Sequence, residues 1–352
     1  MFKTAILRTG FGAIYYSGLA KLLSPKTAGI GHIFCLHHVC PSGGVQPGFA
    51  PNSNLEVSPE FLDRLIRSMK QKNIALISLD EAFATLKAGQ KSSRRFAVFT
   101  LDDGYRDNLV YALPVFEKHQ CPFTVYVAPR IAEGTCELWW RLLEAVIAKS
   151  PEIKLEMNGQ SFVLSTQDSA SKFKAWSILA PKFQSTDEHE QRELIRALCS
   201  AYDVDWKAVC RNAAMTWDEI RQMAQNPLAT IGAHTLNHYN LLKLSAADAE
   251  TEIRQSKLQI ERQTGFAVKH FAYPYGNVDA AGPREFELCK AAGFETAVVT
   301  RLGALWPAHA DHPHALPRIM ISGRYQSPSS VDALVSGVPA MLANRFKRLN
   351  VN

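Results

Sequence analysis

The sequence predicts an α/β protein, a distorted (β/α) barrel of about seven units with a helical and hairpin insertion. Three observations predict it. Strand-length apolar runs alternate with helix-period segments from Gly31 onward, and such alternation builds a largely parallel sheet. The number of β/α units favours closure into a barrel over an open sheet. The rhythm breaks once, between about Cys136 and Met215, and resumes at "LATIGAHT", which marks an insertion. The 352 residues are therefore read as one domain. An N-terminal helix and the first units span 1–94, a motif-bearing core spans 95–325 around the insertion 136–215, and a tail spans 326–352.

The N-terminal stretch places Phe2, Ile6, Ile14, Tyr15, Leu19, Leu22 and Leu23 on one helical face, with Lys3, Arg8 and Lys21 elsewhere. Such a helix packs on its own domain or rests on a membrane surface. "GHIFCLHHVC" reads as the first strand and "SPEFLDRLIRSMKQKN" as a helix, with Ser58 as cap and Pro59 at the first helical position. "IALISLD" reads as a strand and "EAFATLKAGQ" as a helix stopping near Gly89. The strand "RFAVFTL", the helix "NLVYALPVFEKHQ" and the strand "PFTVYVAP" follow. Within the insertion, "IKLEMNGQSFVLS" is a hairpin signal around Asn158 and Gly159. Beyond it come a helix from Ser245 to Thr264, the strand "HFAYPYG", the helix "PREFELCKAAG" and the strand "ETAVVT".

Composition bounds the function. The chain is 47% hydrophobic and 20% charged, as expected of a globular protein, and its formal charge of +6 comes from scattered basic residues. Arg345, Lys347 and Arg348 are the densest group, and no basic motif with interleaved aromatics or zinc-finger spacing occurs, so nucleic acid is not an expected partner. Seven cysteines without a C-x-x-C pair argue for a reducing compartment. The basic, apolar N-terminus lacks an A-x-A site, so the expected location is cytoplasmic, with membrane association through the first helix as the alternative. Oligomeric state is not legible.

Three motifs carry chemistry. In "RFAVFTLDDGYRDN" an apolar run ends in adjacent carboxylates, Asp102 and Asp103, followed by Gly104. Their mutual repulsion is relieved if a divalent cation sits beside them, one acid ligating and the other acting as general base. "IGAHTLNHYNL" places His234 and His238 four residues apart, a bite for one metal ion if they share a helical turn. "FAYPYG" is a stiff turn with two tyrosines, suited to lining a sugar groove.

"FTLDDGY", "HTLNH" and "FAYPYG", in that order, resemble the first three motifs of the NodB-homology polysaccharide deacetylases, carbohydrate esterase family four. The resemblance covers roughly residues 95 to 300. It implies a distorted (β/α) barrel that removes acetyl groups from N-acetylated sugars with one divalent metal. It further implies that Asp102 is the general base, that Asp103, His234 and His238 ligate the metal, and that the Tyr275 N–H stabilises the oxyanion. Two departures stand out. Ala272 lies near the place where many members have an arginine that orients the catalytic aspartate; Arg318, in "ALPRIMIS", is the candidate to replace it from another strand. No Leu-x-x-His follows Gly303 to supply the general acid. "CLHHV" is similar to the early motif of the circularly permuted poly-N-acetylglucosamine deacetylase branch, which implies His37 as the acid with His38 adjacent. His309, His312 and His314 are read as a Pro-rich surface loop.

The expected activity is hydrolysis of the N-acetyl group of N-acetylhexosamine units in a glycan, giving amine and acetate. Zn²⁺ is the expected metal, with Co²⁺, Ni²⁺ and Mn²⁺ left open by ligand type. The alternatives are deacetylation or deformylation of a nucleotide- or lipid-linked sugar, and a non-catalytic glycan-binding homologue. The insertion is read as a lid or an interaction surface, with Trp139 and Trp140 stacking on sugar or packing internally.

Overall fold

The computed structural model describes residues 2–43, 48–89, 94–157 and 159–351. A parallel barrel forms from β1 (Gly31–Leu36), β2 (Phe96–Leu101), β3 (Phe123–Val127), β4 (Ala229–Ala233), β5 (His270–Ala272), β6 (Thr296–Leu302) and β7 (Leu316–Met320). Each strand pairs with the next in the chain, and β1 closes the ring by pairing with both β2 and β7. Closure is uneven. Phe271↔Ala233 is the registered pair between β4 and β5, and the β6–β7 register shifts between Val298 and Leu302. β1, β2 and β3 are buried along their whole length, which explains their near-continuous apolar sequences.

The expected strand "IALISLD" contracts to Ala75–Leu76, which pairs with the start of β2 outside the ring. A Ser78–Glu81 capping box starts the helix Leu79–Lys87 and consumes the rest. "NLVYALPVFEKHQ" begins with a wide π-turn over Asn108–Ala112 before the helix Leu113–His119, because Pro114 has no N–H to continue a regular ladder. The N-terminal helix breaks at Gly18, φ 78°, into Phe2–Tyr16 and Leu19–Thr27. The expected single apolar face is therefore not continuous: Phe11 packs edge-on to Tyr325, while Leu22 is exposed. The expected tail contains two helices, Pro328–Val335 and Val338–Ala343; the Thr27 hydroxyl donates to the Ser336 carbonyl at 2.6 Å. No helix among the described residues is long and apolar enough to cross a membrane, and all seven cysteines are free thiols.

The insertion builds its own apolar core from the helices Trp139–Lys149, Ser169–Ser185, Glu188–Ala201 and Trp206–Ala213 and a hairpin. The hairpin pairs Glu152–Met157 with Gln160–Ser165; Asn158, half of its expected turn signal, lies outside the described residues. Its Ile153 and Met157 face this core, while Val163 on the partner strand is exposed.

Candidate active site

Two-residue periodicity carries the barrel interior up to the site. Ile33, Val98 and Leu316 share an apolar cluster with Tyr126 and Ala272. Two residues further along the same strands stand Cys35, Thr100 and Arg318, and two beyond them His37, Asp102 and Met320. The last three border a cleft of about 850 Å³ at the C-terminal ends of the strands.

Arg318 is fully buried and lies beneath that cleft. Its Nη1 and Nη2 donate to Asp102 Oδ1 and Oδ2, both at 2.7 Å, in a two-pronged pairing. Nη1 also donates to Thr100 Oγ1 and Nε to the Val299 carbonyl, each at 3.1 Å, so the fork is fixed from two other strands, β2 and β6. Burial pushes the Asp102 pKa up, but the Arg318 charge and hydrogen bonds more than reverse it and hold the carboxyl below the usual range. Each Asp102 oxygen retains lone-pair capacity beyond Arg318.

Regular alternation would send Asp103 away from Asp102. Left-handed backbone at Asp103, φ 73°, and Gly104, φ 70°, turns it back toward the cleft. His234 follows β4 directly, but the segment to His238 is not the helical turn expected from its spacing. It is a loop with Thr235 and His238 both left-handed, φ 58° and 59°. Glu252 explains this local path: its Oε2 accepts from the Leu236 and Asn237 amides at 3.0 and 2.8 Å. Such non-glycine conformations cost on the order of 1–3 kcal/mol each and persist where surroundings enforce them.

The Nε2 atoms of His234 and His238 lie 3.3 and 3.2 Å from Asp103 Oδ1. That oxygen is buried and none of these approaches is aligned as a hydrogen bond, so the three atoms converge side by side. Ligands placed tetrahedrally around Zn²⁺ at about 2.0–2.2 Å stand roughly 3.3–3.6 Å apart, so the group fits a divalent cation. The His234 ring is oriented by its Nδ1, 2.7 Å from the Ala272 carbonyl, the usual support for an imidazole ligand. Ala272, which lacks the basic side chain of the resembled motif, thus contributes through its backbone. Burial pushes the Asp103 pKa up, yet the neighbouring imidazoles hold it well below the ordinary carboxylate range.

Tyr275 is left-handed, φ 62°, and its carbonyl accepts from Thr300 Oγ1 at 2.5 Å. Its hydroxyl accepts from Trp139 Nε1 of the insertion at 2.9 Å. His37 borders the cleft, with a side-chain atom within 4.8 Å of the Asp102 carboxylate. Burial lowers its pKa, outweighing the pull of Asp103 and Asp102. His38 turns elsewhere: Nδ1 pairs with Asp107 at 2.6 Å and the ring stacks on Tyr105. His309 departs from the expected surface loop. It is buried, and its Nδ1 accepts from the Trp306 amide at 3.0 Å.

All seven candidate residues therefore meet at one mouth of the barrel, Arg318 below and the other six lining the cleft. Sequence reasoning read the insertion as a lid or an interaction surface and singled out Trp139 and Trp140, but not the rest of its share of the cleft. Trp176, Ala180, Pro181 and Gln184 form part of the cleft wall, together with Trp139 and Trp140. The paired tryptophans were the visible signal for that wall, whereas Glu252 gave none.

Residues 202–296 match the family model described as polysaccharide deacetylase. That segment contains His234, His238 and the "FAYPYG" turn and lies beyond Asp102 and Asp103. No curated protein sequence matches the chain. Several solved structures resemble it. The Streptococcus pyogenes deacetylase PplD, in complex with acetate, is 18% identical, with 85% of this chain and 95% of that one covered at a TM-score of 0.55. IcaB from Ammonifex degensii is 17% identical, covering 87% and 96% at 0.54. A de-N-acetylase from Aggregatibacter actinomycetemcomitans is 12% identical, covering 86% and 99% at 0.53. At these identities the likeness is one of fold. Residues 202–296 thus resemble the polysaccharide deacetylase family in sequence, and the chain resembles these solved deacetylases in fold.

Proposed function

We propose that the protein is a metal-dependent carbohydrate deacetylase that hydrolyses the N-acetyl group of N-acetylhexosamine units in a glycan. The observation that carries this reading is an ionised, Arg318-braced Asp102 beside the convergent Asp103, His234 and His238, all at the edge of one cleft. A divalent cation, Zn²⁺ by ligand type, would be held by Asp103, His234 and His238 and would supply Lewis acidity and a more acidic water.

The protein's own groups account for the remaining steps. Asp102 takes a proton from the attacking water, and Arg318 keeps the carboxylate charged and aimed. The Tyr275 N–H donates to the acetamide oxygen as negative charge develops there. His37 protonates the departing nitrogen. Because burial favours its neutral form at rest, that proton is the one Asp102 takes from the water, passed to His37 before the C–N bond breaks. One water is consumed, the C–N bond breaks, and acetate and a free amine leave.

The cleft, at about 850 Å³, is toward the upper end for a small-molecule site. Trp139 and Trp140 are largely packed in the insertion's core, and half-buried Trp176 is the indole of the wall suited to stacking on a sugar ring. The test is acetate release from N-acetylglucosamine oligomers by metal-stripped protein reloaded with Zn²⁺ or Co²⁺. Activity is expected only after reloading, and Asp102→Asn should lower turnover by about 10²–10⁴-fold while metal content stays constant. Equal turnover by wild type and Asp102→Asn would overturn the assignment.

A further inference from the structure

The two histidines of the candidate metal site are held by different means. His234 is fixed through its ring, by the Ala272 carbonyl. His238 Nδ1 has no hydrogen-bond partner among the described residues. Its ring instead packs against Trp140 and Tyr275, with centroids 5.0 and 5.3 Å away. Its carbonyl, in turn, is held from the insertion. Arg192, on the helix Glu188–Ala201, donates through Nη2 to the His238 carbonyl at 3.3 Å.

Arg192 is 2% exposed, an unusual burial for a charged residue on an inserted helix. Its Nη2 lies 3.5 Å from Glu188 Oε2, and Nη1 donates to Gln191 Oε1. Its guanidinium carbon stands 5.3 Å from the centre of the Tyr239 ring. Fully buried Glu188 reaches onward, its Oε1 lying 3.2 Å from Lys243 Nζ. Lys243 closes the chain by donating to the Gln184 and Thr186 carbonyls at 2.6 and 2.5 Å. The loop after His238 is thus tied to the insertion at His238, Tyr239 and Lys243.

We propose that Arg192 is a positioning residue for the metal site, acting through the His238 backbone, so that the inserted segment completes the ligand set. This rests on the reading that Asp103, His234 and His238 bind a divalent cation. A helix arginine that served only to neutralise Glu188 would have no need to reach that carbonyl.

The experiment is Co²⁺ titration of the metal-stripped full chain, followed by visible absorption, with Zn²⁺ competition and thermal melting alongside. Arg192→Met should weaken Co²⁺ binding by about 10–100-fold and alter the cobalt bands, as expected for loss of a supporting contact. Arg192→Lys should recover part of the affinity, and it carries the same test if the methionine variant does not fold. Adding Glu188→Gln to Arg192→Met should recover part of the lost melting temperature without restoring affinity, because it removes a buried charge that Lys243 alone is left to pair and does not replace the missing donor. Wild-type affinity and spectrum in folded Arg192→Met would overturn the proposal, as would joint recovery of stability and affinity in the double variant. Absence of Co²⁺ binding by the wild type would overturn the metal-site reading itself and this inference with it.

Discussion

At the cleft, the barrel and the inserted segment present different chemistry and different backbones. The barrel brings carboxylates, imidazoles and the buried Arg318, on loops where Asp103, Thr235, His238 and Tyr275 all adopt left-handed conformations. The insertion brings indoles and a guanidinium on regular helices, those of Trp176 and Arg192 opened by side-chain caps at Asp168 and Asp187. Of its described non-glycine residues, Asp203 alone has a positive φ. The difference teaches that the reactive groups sit on costly backbone, while the neighbouring regular structure holds that backbone in place. Trp139 on the Tyr275 hydroxyl and Arg192 on the His238 carbonyl are two such links.

The comparison can be broken from the barrel side first. Arg318→Met strands the Asp102 carboxylate in the interior, and the expected cost is about 3–5 kcal/mol by urea denaturation. Without Arg318 the Asp102 pKa rises, so the acidic limb of the pH–rate profile should move to higher pH. A variant with unchanged stability and profile would deny Arg318 its bracing role.

Acid should separate the regions next. His32 on β1 and His309 below the barrel are held to pKa values of about 4 chiefly by burial, against an ordinary 6.5. The unfolded chain therefore takes up these protons at higher pH than the folded one. Their contribution is fully present above about pH 6.5 and is lost progressively as pH falls through about 4, up to roughly 3 kcal/mol each. Urea midpoints should drop across this window, and His32→Leu should flatten the drop; an equal drop in that variant would place its origin elsewhere.

Trp139→Phe probes the link from the other side. It deletes a hydrogen bond to the Tyr275 hydroxyl worth about 0.5–1.5 kcal/mol while leaving the Tyr275 amide in place. The expected result is a several-fold rise in KM with little change in kcat; a collapse of kcat alone would mean that the indole sets the amide's position. The smallest effect belongs to Val163→Thr on the hairpin, 63% exposed, where stability should change by less than about 0.5 kcal/mol. A larger loss would reveal that this face is covered in solution.

The barrel was legible because its strands are buried on both faces and its polar residues interrupt those apolar runs at their ends. Asp102, Asp103, His234 and His238 stand out for that reason, and Arg318 stands out as a charge inside "ALPRIMIS". The loop path between the histidines was not legible, since it depends on Glu252, whose carboxylate arrives from a helix that reads as polar. Glu188 and Arg192, four apart in "EHEQRELIRALCSA", look like an ordinary exposed helix pair. Their burial is a tertiary fact, as is that of His309 in a segment whose prolines suggest a surface.

Because β1 meets β7 as well as β2, the groups assigned to proton transfer and the arginine that braces Asp102 lie on opposite sides of the seam between the beginning and the end of the chain. His37 and Asp102 emerge early in synthesis, but the Arg318 that pairs with Asp102 follows 216 residues later. A nascent chain therefore holds an unbraced carboxylate and an open ring until its last strand is delivered. Assembly of the site is then among the final events of folding, since pairing so distant in sequence is slow to form. A chain that stops short of β7 would carry all three recognisable motifs and still lack the brace that readies Asp102 for chemistry.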